Sequence, residues 1–270
     1  KQKTAYEIMP SLVGSEMCIR DRVIQMQGTG AGNYEFGTIA SIASGQLTLQ
    51  DNLQHTYAVG GNSKAQVLRV PHYRNVEVRS GGTLKTHTWD GNTGGILVLR
   101  ASNILDVMDG GIIDVNGAGY RGGDPNCVGC YSGDQGEGYP GVGVKSTYRN
   151  GNGGGGGQSD PSPSGGSGNA SGGGGGGHAT YGEDGVSDRN TVGGQGGAPV
   201  GGHTLSQVFL GGGGGAGGAG DNWGCDGGRG ANGGGIIFIS SENIVARGSL
   251  SSNGNDAETR HGDGLSLIHI

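Results

Sequence analysis

The ten residues Gly211 to Gly220 contain eight glycines, interrupted only by Ala216 and Ala219, and Gly172 to Gly177 is an unbroken run of six. A stretch without side chains has almost no apolar surface to bury, and glycine loses more backbone freedom on folding than any other residue. Two outcomes are open to such runs. They can be flexible linker, or their bare backbone groups can bond to those of neighbouring runs. The second outcome matches polyglycine-II rods, which have three residues per turn, a rise of ~3.1 Å per residue and no internal hydrogen bonds. The N–H and C=O groups then point sideways and need partners on other rods, with Cα–H···O contacts as a weaker addition. At that rise Gly211 to Gly220 would span about 31 Å. The distribution of glycine favours the ordered outcome. Residues 117–235 hold 48 of the 67 glycines, in clusters that begin at Gly153, Gly172, Gly193, Gly211 and Gly227. The steps of 19, 21, 18 and 16 residues lie near a common period, with Ser, Asp, Asn and Pro between the clusters. Linkers instead mix Gly with Ser, Glu or Lys throughout. Short rods joined by turns are therefore expected.

Elsewhere the composition narrows the fold class. Gly and Pro make up about 27% of 270 residues, aromatics 5% and the apolar class 31%, which argues against one large hydrophobic core. Strict G-X-Y spacing is absent, so a collagen helix is excluded. No apolar run approaches the ~18 residues of a membrane helix. The two ends stand apart from the rest. Met17 to Asp21 can be encoded by ATGTGTATAAGAGAC, and Leu265 to Ile270 by CTGTCTCTTATACACATC. The reverse complement of the second string, GATGTGTATAAGAGACAG, contains the first. Residues 1–22 and 265–270 thus resemble the two strands of a translated sequencing-library adapter, and such segments are set aside before fold is considered. Residues 23–264 then carry 13 basic and 20 acidic side chains, net −7, without long charge runs. Nothing in that balance attracts a phosphate backbone, so nucleic-acid binding is disfavoured.

Outside the glycine clusters the pattern is β. A small β domain is expected over 23–71, from short runs such as Tyr34-Glu35-Phe36-Gly37-Thr38-Ile39 separated by Gly, Asn and Asp turns. It would form a small barrel or an open sheet. Residues 72–117 continue as short strands ended by Gly or Asn, the pattern of parallel β-solenoid rungs. The strongest organisational signal is a repeat. Gly234 to Val245 matches Gly94 to Leu105, and Gly248 to Gly254 matches Gly111 to Gly117. Two similar rungs would then bracket a glycine-rich insertion at 118–233, with the returning rung at 234–264. In both copies an uninterrupted apolar run follows the glycine pair, Ile96 to Leu99 and Ile236 to Ile239. A strand with one wet face should alternate, so both faces of these strands are expected to be covered, one by the rungs and the other by the insertion or another domain. The fold class expected is all-β, with a small N-terminal β domain and solenoid-like rungs around a polyglycine-II-like insertion.

The runs Gly172 to Gly177 and Gly211 to Gly220 resemble the polyglycine-II regions of phage tail-tip adhesins, of the springtail antifreeze protein and of the glycine-rich ectodomain region of anaplastic lymphoma kinase. The pattern of 23–264, with Val23-Ile24-Gln25-Met26-Gln27, Tyr34-Glu35-Phe36 and the flanking Gly-Gly-Ile rungs, resembles glycine-rich secreted bacterial proteins. No functional residue is carried over from these resemblances.

The residues themselves offer several candidates. Cys127 and Cys130 form a C-x-x-C, with Cys225 the remaining cysteine of 23–264. A disulfide from Cys225 to one of the pair would clamp the insertion and imply an oxidising compartment. Metal binding with His178 and His203, or free or partner-linked thiols, are the alternatives. Asp106, Asp109 and Asp114 cluster on one rung, where carbohydrate-active solenoids place acid–base groups, though solvated turn residues are the simpler reading. Asp124, Asp134, Glu137, Glu183, Asp184, Asp188, Asp221 and Asp226 are oxygen donors of the kind calcium takes, without a repeated calcium motif; no other cofactor is expected. Tyr131, Tyr139, Tyr148, Tyr181 and Trp223 are candidates for contact with a partner, a surface glycan or protein receptor, though packing on the glycine rods is the simpler reading. Thr83, Thr86 and Thr88 form a short row of the ice-binding kind. The function expected is a non-enzymatic, extracellular or surface-exposed structural or adhesion module. Carbohydrate binding or processing is the alternative, and ice binding a distant third.

Overall fold

The computed structural model describes residues 20–125, 132–160, 169–219 and 227–257. It is all-β, with no helix among the described residues. The N-terminal part is an open antiparallel sheet of β1 (Arg20–Gln27), β2 (Tyr34–Ala43), β3 (Gln46–Leu49) and β4 (Lys64–Arg69), in the order β3-β2-β1-β4. Of the two forms expected for this part, the sheet is open rather than a barrel. Ser44 and Gly45, with φ of 49° and 76°, make the two-residue turn between β2 and β3. Positive φ at both central positions is what a right-twisted hairpin requires.

The second part is two parallel three-stranded sheets. One contains β5 (His72–Val78), β7 (Ile96–Val107) and β11 (Ile236–Ala246), in the order β11-β7-β5. The other contains β6 (Thr83–Lys85), β8 (Ile112–Asp114) and β12 (Ser249–Ser251), in the order β12-β8-β6. The repeat seen in the sequence is a pair of neighbours in space. Ile236 pairs with Ile96 and the register runs unbroken to Ser241 opposite Ala101; Ser249 pairs with Ile112. A one-residue shift follows Ser241, and β5 shows the same shift against β7, so the extra residue sits in β7. Here Asn103 donates to Asn75 Oδ1 at 2.7 Å, and Asn243 donates to the Asn103 carbonyl at 3.2 Å. The recurring asparagine is thus a ladder across three strands. Stacked glycine corners close the strands: an added Cβ on Gly111 would lie 2.3 Å from the Val78 carbonyl oxygen, and one on Gly248 2.2 Å from that of Gly111.

The apolar runs have both faces covered. Leu97 and Leu99 join Leu105, Val107, Ile113 and Val115 in one core. Ile96 packs on the other side with Ile24, Met26, Trp89, Tyr120 and Leu210, with Val98 and Ile236 against the same cluster. That second core draws on the N-terminal sheet, the parallel sheet and the glycine-rich region together. Tyr120 is fully buried there, donates its hydroxyl to the Met26 carbonyl and meets Trp89 edge to face.

Among the described residues of the glycine-rich region only β9 (Ser159–Asp160) and β10 (Asn169–Ala170) pair as strands, yet the other segments are closely hydrogen-bonded. The amides of residues 211–218 donate, in order, to the carbonyls of Gly234, Gly177, Glu137, Ala231, Gly174, Asp134, Gly228 and Ser171, all at 2.8–3.0 Å. Three neighbouring segments are therefore visited in strict rotation, and each is revisited three residues later in the reverse direction. A β-strand alternates between two sides and an α-helix bonds within itself; only about three residues per turn gives this order. Segment 154–158 behaves likewise: Gly154 and Gly157 donate to Gly213 and Ala216, Gly155 and Gln158 to Gln195 and Val192, and Gly156 to Ser146. At many of the glycines a side chain has no room in this packing. A Cβ on Gly215 would lie 1.9 Å from the Gly155 carbonyl oxygen, and one on Gly213 1.9 Å from that of Arg121.

Candidate functional site

On the outside of this lattice three segments lie side by side. Gln195 donates to the Thr147 carbonyl at 2.8 Å, while Gly182 and Gly185 donate to those of Gly197 and Gly194. Segment 192–198 is thus flanked by 141–147 and 181–186. The backbone turns its hydrogen bonds inward, and the side chains that remain point to solvent. Tyr148 and Tyr181 are 69% and 64% exposed, and Val142, Val144, Val186 and Val192 are all more than half exposed. Arg149 lies over the Tyr181 ring, with Cζ 5.0 Å from its centroid. The segment under Tyr148 is fixed from within: Gln135, itself buried, donates to the Tyr148 carbonyl at 2.7 Å and accepts from the Val144 amide at 3.0 Å. Tyr148 and Tyr181, bridged by Arg149, are therefore exposed rings on a backbone hydrogen-bonded from beneath, while Val142 lines a polar cleft.

The other aromatic candidates divide. Tyr139 packs edge to face on Phe209 at 5.9 Å, takes a hydrogen bond on its carbonyl from Gly28 and donates its amide to buried Asn152. Its place is at the seam between the lattice and the N-terminal sheet, apart from Tyr148 and Tyr181. Tyr131 and Trp223 lie outside the described residues, as do Cys127, Cys130, Cys225, Asp221 and Asp226.

Of the three rung carboxylates, Asp106 and Asp114 are engaged in ion pairs, while Asp109 is an exposed turn residue. Asp106 takes Arg247 on both oxygens at 2.9 Å, and Asp114 takes Lys85 at 2.8 Å. Each pair joins neighbouring strands of the stack, so these residues are ties between strands rather than free turn groups. Burial pushes the Asp114 carboxyl up, but Lys85 and the Asn116 amide outweigh it and hold the group below the ordinary carboxylate range. A polar cleft of about 420 Å³ is lined by Arg121, Asp124, Asp134, Glu137 and Arg229, with Trp89 at its wall. Glu137 is buried and held by Arg121 Nε and Gln27 Nε2, both at 2.9 Å, which ties the lattice to β1. Asp124 pairs with Arg229 at 2.7 Å. Burial, with Asp124 nearby, raises the Asp134 carboxyl although Lys145 opposes it. This constellation was not visible in the sequence as a group, because its members come from three segments that only the lattice brings together.

Among the described residues no three His, Cys, Asp or Glu side chains converge as a metal site, which leaves Glu183, Asp184 and Asp188 without shared ligand geometry. His178 and His203 both line an apolar cleft against β11. Of the threonine row, Thr86 turns its hydroxyl inward to the Ile96 carbonyl at 2.8 Å. No helix among the described residues is long and apolar enough to cross a membrane. Comparison with protein-family models, with curated proteins and with solved structures returned no match.

Proposed function

We propose that the chain is a non-enzymatic structural or adhesion module of an extracellular or cell-surface assembly. In this reading the parallel strands are three rungs of a β-solenoid, and the threefold lattice is a polyglycine-II bundle mounted on them. The observation that carries the proposal is the exposure of Tyr148 and Tyr181, joined through Arg149, on a backbone hydrogen-bonded from beneath. Rigid amphipathic rings lose little conformational freedom when they meet a glycan or protein surface. A Tyr148→Ala/Tyr181→Ala double variant tests this on a glycan array and on immobilised bacterial surfaces. Loss of binding with an unchanged melting temperature is expected. Binding that the double variant retains in full would contradict the assignment.

The polar cleft supports a second reading, a carbohydrate-processing site in which Asp134 keeps its proton at higher pH than an ordinary carboxyl. Polysaccharide hydrolysis abolished by Asp134→Asn would favour it; absence of hydrolysis across a broad substrate panel would remove it.

A further inference from the structure

Arg22 lies in β1 opposite Phe36 of β2 and is completely buried. Among the described residues none of its three guanidinium nitrogens has a hydrogen-bond partner. What surrounds it is aromatic. Its Cζ is 4.1 Å from the centroid of Tyr34, 4.0 Å from that of Phe238 and 5.6 Å from that of Phe36. The rings stand at steep angles to one another: 87° between Tyr34 and Phe36, 67° between Tyr34 and Phe238, and 54° between Phe36 and Phe238. Their centroids are 5.6–6.2 Å apart, so they form three walls of a box rather than a stack.

Such a box attracts a cation through the faces of its rings. It offers the guanidinium no acceptor, and buried N–H groups left without acceptors are unfavourable. Burial accordingly lowers the Arg22 pKa to about 10. A quaternary ammonium head has the same charge and no N–H to satisfy. It also has the same number of heavy atoms, one nitrogen and three methyl carbons against one carbon and three nitrogens. The box therefore meets the polar requirements of a trimethylammonium group, which is bulkier and tetrahedral but has no N–H, better than those of the guanidinium now inside it. It also has an approach from solvent. Phe36 and Phe238 both line a cleft of about 540 Å³ whose walls include Val98, Ile239 and Ile244. Arg22 is the last residue of the segment that resembles adapter sequence, whereas all three walls come from 23–264.

We propose that Tyr34, Phe36 and Phe238 form a binding site for a quaternary ammonium group, occupied in this chain by its own Arg22. The site is independent of the adhesive surface proposed above. The test is Arg22→Ala, titrated calorimetrically with choline and with its neutral isostere 3,3-dimethylbutanol. Choline should bind saturably and about tenfold more tightly than the isostere. Adding Phe238→Ala should abolish binding, and the unaltered chain should bind at least about tenfold more weakly because its box is filled. A folded Arg22→Ala protein that binds neither compound, or binds both equally, would overturn the proposal. If that variant does not fold alone, choline should restore its cooperative melting transition where equal sodium chloride and the isostere do not. Failure of choline to restore it would equally overturn the site.

Discussion

Leu105 in the parallel strands and Gly215 in the glycine lattice are both buried, for opposite reasons. Around Leu105 the side chains of Leu97, Leu99, Val107 and Ile113 fill a core between two sheets. Around Gly215 there is only backbone: its amide donates to the Gly174 carbonyl at 2.8 Å, and the Gly155 carbonyl lies where a side chain would begin. The strands follow a period of two and are held by apolar area removed from water. The lattice follows a period of three and is held by hydrogen bonds between segments. Dense burial is therefore reached in one chain by adding side chains and by removing them.

The sharpest way to break this comparison is to add one methyl group. Gly215→Ala should destabilise the protein by about 3 kcal/mol or more in a denaturant melt, because backbone must move to admit the Cβ. Gly202→Ala is its control, since nothing lies within 4 Å of a Cβ there, and should change stability by less than about 0.5 kcal/mol. Equal effects at the two sites would mean that the lattice is not close-packed. Leu105→Ala makes the converse change and should remove about 2–4 kcal/mol through a cavity in the strand core.

A smaller effect separates the regions by pH. The carboxyl of Asp114 is depressed in the folded protein, so its contribution is present above the unfolded carboxylate pKa and disappears as pH falls through the lower folded value. Lys85→Ala should cost under about 1 kcal/mol near neutrality. It should also flatten the loss of stability as pH falls below the ordinary carboxylate range, measured by melts at progressively lower pH. An unchanged pH profile would show that the pair between neighbouring strands contributes nothing.

The strands were legible in the sequence because side chains report their own surroundings. The run Ile96 to Leu99 implied two covered faces, and the match of Gly234 to Val245 with Gly94 to Leu105 anticipated a parallel pair in register as far as Ser241. The repeat did not reveal the extra residue of β7, since the asparagine ladder that accommodates it depends on geometry across three strands. The glycine clusters implied segments near a common spacing but not their order in space. A bare backbone carries no mark of its neighbours, so the contacts of 211–218 with three separate segments could not be read from it. The clusters of polar and aromatic residues were hidden because their members are far apart in the sequence. Glu137 and Gln27 are 110 residues apart, and Arg22 meets Phe238 only because two sheets are packed together.

Amide hydrogen exchange at residues 211–218, followed by NMR on uniformly 15N-labelled protein, tests the threefold lattice most directly. All eight amides donate to other segments, so all eight should be protected, with rates well below those of an unstructured chain and comparable to the strand core around Leu105. Exchange at random-coil rates through this run, with the strand core still protected, would contradict the lattice and leave the glycine region a flexible linker.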